Sequence, residues 1–148
     1  MKEIKKHILW GKKVKENQVE QGGILIGKVI KCERKINYGI VENAIPGTLA
    51  KGTSAYLEMN HKTWKEMIDE VDKIIDDHPK EQLQIIGWYH THPNNLSIFM
   101  SGTDRNTQCS FFPNHWQFAV VLNPHKKIWG AFYGKDSKKC NGFIVAKY

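Results

Sequence analysis

Two histidines one residue apart, His90 and His92, close a run that starts with Ile85 and Ile86. An apolar run of this kind reads as a strand, and on a strand the side chains at i and i+2 point to the same face. Both imidazoles can then reach one ion, so the fold has to bring a third ligand to that strand end. Asp104 supplies a carboxylate, and Ser101 three residues before it makes an S-x-x-D helix start, which places Asp104 in the first turn of a helix reaching about Phe111. Three protein ligands leave the fourth tetrahedral position open to water, the arrangement of a catalytic zinc.

The rest of the chain supplies a sheet around this strand. Residues 4 to 17 suit a short amphipathic helix or irregular lead-in, interrupted by Gly11. Glu20 precedes Gly22-Gly23 and a β-rich run to Ile30, read as a central strand, and a second strand follows from about Tyr38 to Ala44. Ile45 to Gly52 is a loop by its Pro46-Gly47 and Gly52, and Thr53 to Met59 can be a third strand. Trp64, Met67, Ile68, Val71, Ile74 and Ile75 then recur at helical spacing between acidic residues, which gives a helix from about Lys62 to Asp77, stopped by Pro79. Leu83 to Tyr89 is the strand that delivers the histidines. Trp116 to Leu122, Ile128 to Tyr133 and Phe143 to Val145 read as three closing strands, separated by Asn123-Pro124 and the polar stretch Gly134 to Gly142. The order implies an α+β domain, a mixed sheet flanked by helices.

Length and charge narrow the class. A chain of 148 residues fits one domain, taken here as residues 1–148. The formal charge of +7 comes from lysines in small groups, Lys5-Lys6, Lys12-Lys13, Lys126-Lys127 and Lys138-Lys139, with only Arg34 and Arg105 beside them. This scatter reads as a solvated surface rather than a nucleic-acid patch, and an acidic protein partner stays compatible. Cys32, Cys109 and Cys140 are odd in number and far apart, which argues against a disulfide framework or a structural zinc knuckle. No apolar run approaches membrane-spanning length and the start of the chain lacks a signal-type apolar stretch, so the expected location is the cytoplasm.

The array H-x-H-P-x(7)-S-x-x-D, met at His90, His92, Pro93, Ser101 and Asp104 with Glu20 upstream, resembles the JAMM motif of the JAB/MPN-plus metalloprotease family. The segments Gly87 to Pro93 and Ser101 to Gln108 are similar to that family's catalytic core, and the likeness spans most of residues 19 to 135. It implies a JAB/MPN-like, cytidine-deaminase-like architecture. It implies that His90, His92 and Asp104 bind Zn2+, that Glu20 is the base taking a proton from water, and that Ser101 donates a hydrogen bond to the developing oxyanion. The chemistry supports the same division, since zinc brings the pKa of water to about 7 and a carboxylate outside the metal shell is free to shuttle protons. A departure is the absence of a long insertion after Asp104, which leaves no room for the second zinc of some eukaryotic relatives.

Each residue also has a plainer reading. Glu20 could be a strand-entry carboxylate, Ser101 only a helix cap, and Asp104 a favourable charge at a helix N-terminus. Trp88 shares the histidine face by alternation, as a wall of the site or as core. The other histidines, His7, His61, His78, His115 and His125, fit no ligand spacing and read as surface or packing residues. The loops Ile45 to Thr53 and Asn94 to Met100 are expected to wall a substrate groove, with Pro46, Gly47, Phe99 and Met100 as its contacts. The resemblance implies a zinc isopeptidase or peptidase cutting after the C-terminus of a ubiquitin-like protein, by deconjugation or precursor maturation. E1-like and E2-like partners of a bacterial conjugation or antiviral defence operon belong to the same implication. Processing of a sulfur carrier or another peptide is a second reading, and a non-catalytic MPN scaffold a third, although such scaffolds usually lack the ligands kept here.

Overall fold

The computed structural model describes residues 1–31, 37–55 and 57–141. Among them the sheet has six strands, β1 (Gly22–Lys31), β2 (Asn37–Pro46), β5 (Gln84–Thr91), β6 (Phe118–Asn123), β7 (Ile128–Tyr133) and β8 (Lys138–Lys139), in the order β2-β1-β5-β6-β7-β8. A separate two-residue ladder joins β3 (Lys51–Gly52) to β4 (Leu57–Glu58). All pairs are antiparallel except β5 with β6. That parallel pair needs a crossover, and the crossover is the segment holding Ser101, Asp104 and α3 (Gly102–Phe111). The sheet is mixed and flanked by helices, an α+β architecture.

The helices divide by face. Ile4 of α1 (Lys2–His7) and the adjoining Ile8 pack with Leu25, Ile86, Tyr89, Val120 and Leu122 on one side. On the other, Met67 and Val71 of α2 (His61–Asp77) pack with Ile24, Ile26 and Ile45. Beside them Met100 and Phe112, which flank α3, pack with Trp88, Ala119 and Val121. A bulge in β5 makes this sorting possible: Leu25 pairs with Gly87 and Ile26 with Ile85, so Ile86 is the extra residue. It turns toward α1 while Trp88 turns toward α3. A Cβ on Gly87 would collide with the Phe118 carbonyl, so glycine is needed where the bulge meets β6.

Three expectations change. The strand expected from Thr53 to Met59 shrinks to Leu57–Glu58, because the Thr53 carbonyl instead accepts the Glu20 N–H at 2.7 Å. The polar stretch Gly134 to Gly142, read as a connection, contains β8, which pairs with Phe132 and Tyr133. The lead-in separates into α1 and a single 3-10 turn at Lys15–Asn17, with Gly11 at φ +80° between them. The strand expected at Phe143 to Val145 and Cys32 lie outside the described residues.

Candidate metal centre

Alternation along β5 determines what meets at its end. Trp88 and His90 share the α3 face and stack with ring centroids 4.5 Å apart, while Thr91 on the opposite face accepts the Gln21 N–H through Oγ1 at 2.9 Å. The antiparallel register sets Gly22 opposite His90, and the Thr91 N–H reaches the Gln21 carbonyl at 2.8 Å. Continued by one residue, that pairing puts Glu20 opposite His92. Gly52 presses against the Glu20 backbone from above, where any Cβ would strike the Glu20 carbonyl. The Glu20 N–H donates to the Thr53 carbonyl at 2.7 Å, and Glu20 is thereby held at 5% exposure between Gly52-Thr53 and the end of β5.

Asp104 is fixed by a reciprocal cap. The Ser101 Oγ accepts the Asp104 N–H at 3.2 Å, and the Asp104 carboxylate accepts the Ser101 N–H at 2.7 Å through Oδ2. The cap uses a lone pair of the serine hydroxyl and leaves the O–H to donate, to the Asp104 carboxylate beside it or, after rotation, to a substrate oxygen. Capping and oxyanion donation are therefore compatible in one side chain.

The three candidate ligands converge. His90 Nε2 lies 3.2 Å from Asp104 Oδ1, His92 Nε2 3.5 Å from Asp104 Oδ2, and the two Nε2 atoms are 3.3 Å apart. All three residues are buried, and among the described residues they form the one His/Cys/Asp/Glu group close enough to hold an ion. The chemistry of the donors shows what belongs there. His92 Nδ1 sits 2.9 Å from the Ser97 carbonyl, which can only accept, so Nδ1 carries a hydrogen and Nε2 is the atom turned to the Asp104 carboxylate. In the metal-free site a proton on Nε2 bridges to the carboxylate; without that proton the lone pair faces carboxylate oxygens, and a cation can take the proton's place between them. A tetrahedral metal with His, His and Asp ligands fits this set, with the Ser97 carbonyl as the outer partner that orients a ligating histidine. Among the described residues His90 Nδ1 has no hydrogen-bond partner, and the stacking on Trp88 orients that ring.

The electrostatics of the metal-free site express the same demand. Burial opposes charge on His92, but the Asp104 carboxylate, the Ser97 carbonyl and Glu20 outweigh it and hold the imidazole above its usual range. Burial, joined by the neighbouring His92, pushes His90 down against the opposing pull of Asp104. Asp104 is held well below the carboxylate range, because the hydrogen bonds from His90, His92 and Ser101 overcome its desolvation. Glu20 goes the other way, pushed up to about 7 by burial, with His92 pulling it down and Asp104 pushing it further up. Two carboxylates at one candidate metal pocket thus have opposite characters: Asp104 stays ionised, and Glu20 can exchange a proton near neutral pH.

The expected groove contacts fall into different environments. Phe99 is 42% exposed and sets its ring edge-on to His92, centroids 4.7 Å apart, so it stands at the mouth of the site. Met100 turns inward at 3% exposure and packs with Trp88 and Phe112, which removes it from any surface a substrate could touch. Gly47 is buried, its N–H donating to the Gly22 carbonyl at 2.9 Å, and Pro46 ends β2 beside it half-buried. Sequence reasoning missed Gln108, which accepts the Trp88 indole N–H at 2.8 Å and donates to the Phe112 carbonyl, tying α3 to the stacked wall. A polar residue on the buried side of a short helix is the signal that could have found it. It also missed Ser97 and Asn123; Asn123 Nδ2 donates to the Asn94 and Leu96 carbonyls at 3.0 and 2.9 Å and so shapes the loop that fixes His92.

The chain is similar in sequence to known proteins. Residues 4–113 match the family described as JAB1/Mov34/MPN/PAD-1 ubiquitin protease. The human AMSH-like protease is 32% identical over 117 residues, 77% of this chain and 23% of that protein. The NAD(+) hydrolase TcpA of a Theionarchaea archaeon is 26% identical over 133 residues, covering 88% and 34%. COP9 signalosome complex subunit 5 of Candida glabrata is 27% identical over 117 residues, covering 76% and 23%. The chain thus spans about a third or less of the length of these relatives. With a family match over most of its length and the His-His-Asp cluster at the end of β5, the chain belongs to the JAB1/Mov34/MPN/PAD-1 family.

Proposed function

We propose that the chain is a zinc-dependent isopeptidase or peptidase that cuts after the C-terminus of a ubiquitin-like protein, releasing it from a lysine or from a precursor. The observation that carries this reading is the facing of His90 Nε2, His92 Nε2 and the Asp104 carboxylate, with buried Glu20 set opposite His92 by the strand register. The family's description as a ubiquitin protease and the AMSH-like protease among the relatives support the substrate class. When bound, zinc supplies Lewis acidity, making water nucleophilic at neutral pH and polarising the scissile carbonyl. Glu20 takes the proton of the attacking water; as the C–O bond forms and the C–N bond breaks, it passes that proton to the leaving amine. Ser101 directs its hydroxyl hydrogen at the oxygen that gains charge. Phe99 walls the approach beside His92, and an extended C-terminal tail can reach the site where a folded segment cannot.

The test uses zinc-loaded protein, a panel of ubiquitin-like proteins each carrying a C-terminal fluorogenic amide, and a short unrelated peptide amide. Cleavage of a ubiquitin-like member in preference to the peptide is expected. Glu20→Gln should keep its zinc by metal analysis and lose about 10²–10⁴ in rate. Equal cleavage of peptide and protein would move the assignment to a general peptidase, and no cleavage of any substrate by zinc-loaded protein to a binding scaffold.

A further inference from the structure

Lysines dispersed in the sequence are gathered by the fold at one edge of the site. The Gly11 N–H donates to the Pro124 carbonyl at 2.8 Å. His125 accepts the Asn94 N–H on Nδ1 at 2.8 Å, so its Nε2 bears the hydrogen, which goes to Asn17 Oδ1 at 2.9 Å. Asn17 is itself buried, its amide spread over the Ile8, Leu9 and Lys12 carbonyls. Finally the Asn94 amide donates to the Gln18 carbonyl at 3.2 Å. These ties bind residues 11–18 and 123–127 to the loop that follows His92. Lys12, Lys13, Lys15, Lys126 and Lys127 come together in this way, with Glu16 the one acid in the two segments.

At the junction lies a cavity of about 290 Å³ lined by Lys13, Gln18, Asn94, Asn95, His125 and Lys126. None of the six is acidic. Lys126 Nζ gives one hydrogen bond to the Asn95 carbonyl at 2.7 Å and keeps two hydrogens, while Lys13 makes no hydrogen bond or ion pair among the described residues. Burial first, and the Lys13 ammonium second, push the His125 imidazole down, so it stays neutral and acts as a bracket. Two uncompensated ammonium groups in one recess call for an anion. The Asn94 side-chain amide meets the Gln18 carbonyl two residues along from His92 and Glu20, so the cavity borders the segments that carry both of those residues.

We propose that this cavity is a carboxylate subsite that takes an Asp or Glu side chain of the substrate a few residues from the scissile bond. At about 290 Å³ it stands at the lower end of the roughly 300–1,000 Å³ of small-molecule pockets, with ample room for a carboxylate side chain. Its cations are ammonium points that can each meet a carboxylate oxygen, and the recess has no arginine whose planar group could stack on a base. Lys12, Lys15 and Lys127 widen the positive field and steer an acidic chain toward the recess. That the carboxylate belongs to a substrate rests on the hydrolase reading above; the selectivity of the recess does not.

Fluorescence anisotropy on zinc-loaded protein tests this, using a labelled Glu-Gly repeat peptide, its Gln-Gly counterpart and an oligothymidylate. The acidic peptide should bind, and the neutral one should not. Lys13→Glu and Lys126→Glu should each weaken binding about tenfold, whereas Lys73→Glu on α2, across the sheet, should leave it unchanged. Equal weakening by Lys73→Glu, equal binding of the neutral peptide, or tighter binding of the oligothymidylate through the same lysines would overturn the subsite. Hydrolysis separates the two proposals. Protein that binds the acidic peptide through Lys13 and Lys126 yet cuts nothing refutes the hydrolase and keeps the carboxylate recess. Protein that cuts acidic and neutral substrates alike, in wild type and Lys13→Glu, keeps the hydrolase and overturns the recess.

Discussion

Helices α2 and α3 lie on the same side of the sheet and both begin at a side-chain cap, but they are held in opposite ways. In α2 the Asn60 side chain accepts the Thr63 N–H, and the helix then buries Met67 and Val71 against Ile24, Ile26 and Ile45. In α3 the Ser101 and Asp104 cap closes in both directions, and the residues the helix buries are Asp104 and Gln108. One helix is fastened by apolar area, the other by polar contacts that converge on the metal pocket. Stability and chemistry are thus divided between neighbouring elements, and a change in one helix should leave the other's task intact.

The largest expected contrast sets Asp104→Ala against Met67→Ala. Asp104→Ala should bring zinc content near zero by metal analysis and abolish hydrolysis, since it removes the anionic ligand that balances two imidazoles. Met67→Ala leaves a cavity in the α2 face and should cost about 2–5 kcal/mol in denaturant unfolding, with zinc content and rate per folded molecule preserved. Loss of zinc from folded Met67→Ala protein would show that the two helices are one unit and end the contrast.

The caps make a finer version. Asn60→Ala removes the hydrogen bonds from the Thr63 N–H and hydroxyl, Ser101→Ala the one from the Asp104 N–H, and each should cost about 1 kcal/mol of stability. Only Ser101→Ala should also slow hydrolysis with zinc retained, by less than Glu20→Gln does, because the serine hydrogen has no counterpart at Asn60. Equal rates in the two variants would reduce Ser101 to a cap.

What was readable in the chain follows the same division. The α2 period showed because apolar burial repeats at fixed intervals, and the observed His61–Asp77 lies within a residue of the expected start. The S-x-x-D start of α3 showed because a cap is local in sequence. The two-residue ladders β3-β4 and β7-β8 did not show, since pairs so short depend on partners distant in sequence, such as Glu20 claiming the Thr53 carbonyl. The inward turn of Met100 was also hidden: Leu96, Ile98, Phe99 and Met100 look alike as a run, and only the packing of Trp88 and Phe112 decides which one leaves the surface. His125 was read as ordinary because its partners, Asn17 and Asn94, lie in segments that the fold alone brings beside it.

The smallest predicted effect concerns Glu20, whose carboxyl is buried next to the ligands without the α3 hydrogen bonds that favour charge on Asp104. In metal-stripped protein its pKa is raised from 4.5 to about 7. A carboxyl raised on folding contributes fully below its unfolded value, and that contribution is lost as pH rises through the folded value. Glu20 should therefore cost nothing at pH 4 and destabilise the stripped protein above about 7, where folding holds an ion out of water. Asp104 has the opposite sign, its contribution present above the unfolded value of 3.8 and lost as pH falls. Both wild type and Glu20→Gln carry Asp104, so its effect cancels when they are compared. Thermal melts of the two stripped proteins should then coincide near pH 4, while at pH 8 Glu20→Gln should melt roughly 5 °C higher. A variant that removes the base would be the more stable protein, the mark of a group kept for chemistry at the expense of folding. Melting differences that are the same at both pH values would place Glu20 in contact with water and remove the basis for a proton shuttle poised near neutrality.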